Sequence, residues 1–133
     1  MITKTLSTKN PYRLERNRYL ELKYFCFQYE KWKKELGDLL YLKELKSSEI
    51  KSTNPPDPTS DLAIKRAELL SKCEMIEQSA IEAAPGFYQG LIKGVTHNIG
   101  YDSLIANEAL DISQREYYVC YRRFFWILDK KRR

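Results

Sequence analysis

From Pro11 to Leu36 the chain PYRLERNRYLELKYFCFQYEKWKKEL contains no helix breaker, and Leu14, Leu22, Phe25, Tyr29, Trp32 and Leu36 recur mostly three and four positions apart. That period is helical. It predicts one amphipathic helix of about six or seven turns, or two helices broken near Gln28. Asn10 is suited to cap it, and Pro11 to be its first residue, where the missing N–H loses no helical bond. Residues 1–9 read as a loose tail. Gly37 interrupts the pattern, and Asp38-Leu39-Leu40-Tyr41-Leu42 continues it weakly. The stretch KSSEIKSTNPPDPT, Lys46 to Thr59, reads as a linker, because each proline pushes the residue before it to an extended conformation. Thr59 or Ser60 then caps a second long helix, SDLAIKRAELLSKCEMIEQSAIEAA. Its apolar side is Leu62, Ile64, Leu69, Leu70, Cys73, Ile76 and Ile81. Pro85-Gly86 ends it. FYQGLIKGVTHN follows, with Phe87, Leu91, Ile92 and Val95 facing inward, until Ile99-Gly100 breaks the chain again.

The final third is the most sharply patterned. Tyr101 to Ala109 predicts a short helix, Leu110-Asp111-Ile112-Ser113 a tight turn, and the residues after it a long terminal helix. Ser113 opens an S-x-x-E capping box with Glu116, in which each side chain accepts from the other residue's backbone N–H. Tyr117, Tyr121, Phe124 and Leu128 make one apolar stripe. Arg115, Tyr118 and Arg122 lie about a hundred degrees round from it. A capped helix with aromatics behind and arginines in front is the form a helix-turn-helix presents to a DNA major groove. Tyr117, Tyr121, Phe124 and Phe125 are expected in the core. Trp126 is not demanded by the stripe and is expected to dock on the N-terminal arm or on a second subunit.

These elements predict an all-α fold, a helical bundle with two long antiparallel helices and a C-terminal helix-turn-helix. Residues 1–45 form an N-terminal helical arm, 46–59 a linker, and 60–133 the scaffold and helix-turn-helix domain. At 133 residues, 43% hydrophobic and 13% aromatic, the chain can bury a core without staples. The net charge of +5 is unevenly spread: residues 1–35 carry +5, residues 36–111 carry −5, and residues 112–133 carry +5. Two basic ends suit a polyanion, although Arg13, Arg16 and Lys23, off the first stripe, suit a solvated face better. Cys26, Cys73 and Cys120 are too few and too scattered for a zinc site or a disulfide framework, so buried free thiols in a cytoplasmic protein are expected. No stretch resembles a signal peptide or a membrane span.

No residue pattern points to catalysis, and no metal or other cofactor is expected. His97 stands alone, in an expected loop, with no cysteine or carboxylate at ligand spacing. There is no glycine-rich phosphate loop. Glu74, Glu77 and Glu82 read as a solvated acidic face.

The pattern Ile99-Gly100-Tyr101-Asp102-Ser103-Leu104, then Leu110-Asp111-Ile112-Ser113, Tyr117-Tyr118 and Tyr121-Arg122-Arg123-Phe124-Phe125 resembles the helix-turn-helix of small phage transcription regulators of the ArpU/RinA type, itself similar to region four of primary sigma factors. Residues 61–133 also resemble uncharacterised prophage proteins of Firmicutes. Tyr101 precedes Ser113 by twelve residues, more than in the sigma-like pattern, which implies a longer first helix or a looser turn. The resemblance implies a DNA-binding transcriptional regulator in a bacterial host cytoplasm, binding double-stranded DNA; on that reading homodimerisation through the long helices is expected. Gln114, Arg115 and Tyr118, and marginally Val119, would face bases, because glutamine and arginine carry the donors that adenine and guanine edges accept. Arg122, Arg123, Lys130, Lys131, Arg132 and Arg133 would meet phosphates. The alternatives are a protein-interaction module that binds RNA polymerase or inhibits a host nuclease, with the helix-turn-helix as scaffold, and a DNA-packaging component, with the helix-turn-helix on a helical oligomerisation stalk that recognises phage DNA.

Overall fold

A computed structural model describes residues 10–49, 58–108 and 111–133 of the chain. Among the described residues the secondary structure is α-helical: α1 Arg16–Phe27, α2 Tyr29–Glu49, α3 Pro58–Ala83, α4 Tyr88–His97, α5 Tyr101–Glu108 and α6 Gln114–Lys131. The all-α class predicted from periodicity is the class observed. No helix among them is long and apolar enough to cross a membrane.

The first apolar run is two helices rather than one. Gln28 caps α1, its backbone N–H reaching the carbonyls of Phe25 and Cys26, and α2 restarts at Tyr29. Asn10 and Pro11 do not open this helix. The Asn10 side chain accepts from Tyr12 N–H at 2.9 Å and its carbonyl from Arg13 N–H at 3.2 Å, which closes a turn. Helix propagation stops there because Tyr12 is held by α6, as described below. Gly37 does not break α2, which continues to Glu49. A Cβ added at Gly37 would meet nothing within 4 Å. Gly37→Ala is therefore expected to stabilise the protein by about 0.5–1 kcal/mol, read as a higher denaturant midpoint.

Both ends of the expected linker are helical. Lys46 to Glu49 belong to α2, and Pro58 begins α3 in the position where proline fits a helix best; residues 50–57 lie outside the described residues. α4 ends on Asn98, whose φ of 55° puts it in the left-handed region that asparagine tolerates better than most residues, and its N–H returns to the Gly94 carbonyl. His97 is the last residue of α4 rather than a loop residue, 3.2 Å from Glu30.

The core sits where α3 meets α2, α6 and α4, with α1 closing it against α4 and α6. Leu22, Ile76, Leu91, Tyr117, Phe124 and Leu128 are fully buried. Between α2 and α3, Tyr29 Oη–H donates to Glu77 at 2.5 Å and Lys72 Nζ stands 5.2 Å from the centre of the Trp32 ring. Cys26, Cys73 and Cys120 are buried free thiols, and burial raises the pKa of each. Ile64, expected on the buried side of α3, is instead 56% exposed.

Lys23 departs from its expected solvated face. It is 2% exposed, and its Nζ has no hydrogen-bond partner among the described residues. The Tyr19 and Phe27 rings, one turn before and one turn after it, stand 5.7 and 5.9 Å away. Burial lowers the ammonium pKa.

Candidate nucleic-acid interface

α6 is fixed at both ends. Glu116 N–H donates to Ser113 Oγ at 3.1 Å, the forward half of the expected capping box. Of the preceding turn, Ala109 and Leu110 lie outside the described residues. Tyr101 Oη–H donates to the Ile112 carbonyl, which ties the start of α5 to the start of α6. At the far end Asp129 is 4% exposed and accepts from Arg18 Nε at 2.6 Å and from Arg133 at 2.9 Å. Burial by itself would raise the Asp129 carboxyl pKa, but the bonds from Arg18 and Arg133 outweigh it and hold the group below its usual range. Tyr19 and Tyr121 share a hydroxyl–hydroxyl bond of 2.8 Å beside this clamp. Arg18→Ala is expected to cost about 2–3 kcal/mol, the scale of a charged hydrogen bond, measured by denaturant unfolding. Because the folded carboxyl pKa is depressed, this stability is fully present above the unfolded pKa of about 3.9 and is lost as pH falls through the folded value. Wild type and Arg18→Ala should therefore begin to converge in stability below about pH 4 and come together only once the pH has fallen past the depressed folded value.

Most of the apolar stripe of α6 is inward, as its spacing predicts: Tyr117, Phe124 and Leu128 are fully buried and Phe125 beside them is 2% exposed, whereas Tyr121, also expected in the core, is half-buried. The opposite face divides into two halves. In the first half Gln114, Arg115, Tyr118 and Arg122 together line an open concavity. Gln114 and Arg115 are exposed; Tyr118, Val119 and Arg122 are half-buried. Neither Arg115 nor Arg122 has an ion-pair partner among the described residues. Tyr118 is braced by Tyr117 and Tyr121, with ring centroids 5.0 and 5.8 Å away.

In the second half the cations named as phosphate contacts have partners within the chain. Arg123 donates to the Ala83 carbonyl at 3.0 Å and to Tyr12 Oη at 3.3 Å. It satisfies the last turn of α3 rather than facing outward. Lys130 Nζ stands 3.5 Å from the centre of the Trp126 ring. Lys131 pairs with Glu82 at 2.7 Å, Arg132 lies 3.8 Å over Phe25, and Arg133 pairs with Asp129. Trp126 meets Tyr12 edge-on at 5.5 Å, so of its two expected docking partners it takes the N-terminal arm. Sequence reasoning missed this strap, formed by residues 10–15, and also missed the Arg18–Asp129 clamp.

Among the described residues no cluster of His, Cys, Asp or Glu could hold a metal ion. Comparison with protein-family models, curated proteins and solved structures finds no match.

Proposed function

We propose that the chain binds double-stranded DNA through the first half of α6, as a transcriptional regulator of phage or prophage type. One observation carries the reading. Gln114, Arg115, Tyr118 and Arg122 line one open concavity at the start of a capped helix, and among the described residues neither guanidinium there meets a carboxylate. Arginine and glutamine are the side chains that reach guanine and adenine edges as paired donors and acceptors, and arginine also meets phosphate. The helical order α4, α5, α6, with a cap between the last two, supports a helix-turn-helix. The resemblance to phage regulators supports the regulatory role.

A second reading is favoured by the other half of the helix. Arg123, Lys131 and Arg133 each serve a partner inside the chain, which leaves a small cationic surface. Such a surface also suits an acidic protein, including RNA polymerase or a nuclease to be inhibited. A mobility shift with fragments of the source genome at two salt concentrations separates the two. Binding to duplex that weakens as salt rises is the expected result. No retardation at low salt would contradict the DNA reading and favour a protein partner.

A further inference from the structure

The N-terminal strap crosses the outward face of α6. At about 100° per residue, Arg115, Arg122 and Trp126 fall within about 40° of one another and form the ridge of that face. Arg123 and Asp129 lie on opposite sides of the ridge. The start of the chain grips both. Tyr12 Oη accepts from Arg123 at 3.3 Å, and Arg18 Nε donates to Asp129 at 2.6 Å. Tyr12 also meets the Trp126 ring, while Tyr19, next to Arg18, meets Phe125 at 5.1 Å on the Asp129 side. Residues 13–17 therefore pass over the ridge between the two grips, about one turn beyond Arg122.

The sequence of the strap decides which side chains face out. Tyr12 and Leu14 are half-buried, and Leu14 packs on the core, whereas Arg13, Glu15 and Arg16 are exposed. Arg16 meets no carboxylate among the described residues. Glu15 is the one carboxylate among residues 13–17, against the two guanidinium groups of Arg13 and Arg16. The later cations of α6 are engaged within the chain, Lys131 by Glu82, Arg132 by Phe25 and Arg133 by Asp129. Exposed positive charge over this half of the helix thus comes largely from the strap, more than 100 residues earlier in the sequence.

We infer that Arg13 and Arg16 contact phosphates of the same duplex whose bases meet Gln114 and Arg115, so that the strap carries the interface past Arg122. The inference rests on the proposed function. Charge complementarity carries it: folding delivers two exposed guanidinium groups to the face that already holds Arg115 and Arg122, and each strand of a duplex offers a phosphate about every 3.4 Å of its axis. Arginine meets phosphate oxygens as a paired donor, and such contacts add affinity and orientation without reading sequence.

The test is binding of the full chain, over a range of salt, to a genomic duplex that it retards and to a scrambled duplex of equal length. The double variant Arg13→Ala, Arg16→Ala should bind both duplexes at least about tenfold more weakly at low salt, with the slope of log K against log salt shallower by about two. The ratio of the two affinities should stay as in the wild type, whereas Arg115→Ala, Arg122→Ala should lower it. Arg13→Lys, Arg16→Lys keeps both charges and should keep most of the slope. Lys65→Ala, Arg66→Ala removes the same charge from exposed residues of α3 and should leave the slope near that of the wild type. An equal loss in the α3 variant overturns the inference, because net charge alone would then explain it. A wild type that binds while the strap variant keeps its slope also overturns it, and leaves the α6 reading standing. A wild type that binds neither duplex ends both, a result seen before any variant is compared.

Discussion

Replacing Phe124 with alanine is expected to lower the folding free energy by about 3–5 kcal/mol, the range for deleting a buried aromatic side chain. Phe124 is 0% exposed and meets Phe125 edge-on at 5.0 Å. It stands on the stripe that holds α6 against the body, and α6 makes its most extensive contacts with α3. The loss combines the transfer of the ring to water with a cavity that the surrounding helices close only in part. Small domains are stable by about 5–15 kcal/mol, so much of the total is removed. A denaturant titration should show a lower midpoint with little change in slope. Tyr24 is 57% exposed on α1, and alanine there should change stability by no more than about 0.5 kcal/mol.

The double variant Arg115→Ala, Arg122→Ala is expected to weaken duplex binding about a hundredfold or more while leaving the fold intact. Each well-placed contact from arginine to a base edge discriminates by about 1–3 kcal/mol, and 1.4 kcal/mol is tenfold in affinity. Neither side chain has a carboxylate partner among the described residues to leave stranded, so little stability should be lost. The slope of log K against log salt should become shallower by about one for each of the two that meets a phosphate. Arg123→Ala supplies the contrast. Its guanidinium closes the Ala83 carbonyl and the Tyr12 hydroxyl, so its removal should lower stability and leave the salt slope unchanged.

The helices were legible wherever burial is periodic. Leu22, Phe25, Tyr29 and Trp32 are buried at the expected spacing, and so are Tyr117, Phe124 and Leu128. The break at Gln28 stood among the sequence alternatives, because a run of that length tolerates one interruption. The Ser113–Glu116 cap was legible because its chemistry spans one turn. Contacts between residues far apart in sequence were not. Arg18 and Asp129 are 111 positions apart, and no local pattern marks either as half of a clamp. Residue type favours solvent for Lys23, whereas the Tyr19 and Phe27 rings cover it. The C-terminal cations formed a single group by composition. Folding divides them, because Ala83, Glu82 and Phe25 come to lie beside Arg123, Lys131 and Arg132. Asn10 and Pro11 carried a helix-start signal that tertiary contact overrode, Tyr12 being held by Arg123 and Trp126.

Backbone amide NMR of the whole chain, titrated with a duplex that it retards, tests the DNA-binding face most directly. Shift changes concentrated from Ser113 to Arg122, with the exposed face of α3 unmoved, are the result expected. Changes confined to α2 and α3, or none between Ser113 and Arg122 at saturating duplex, would contradict it.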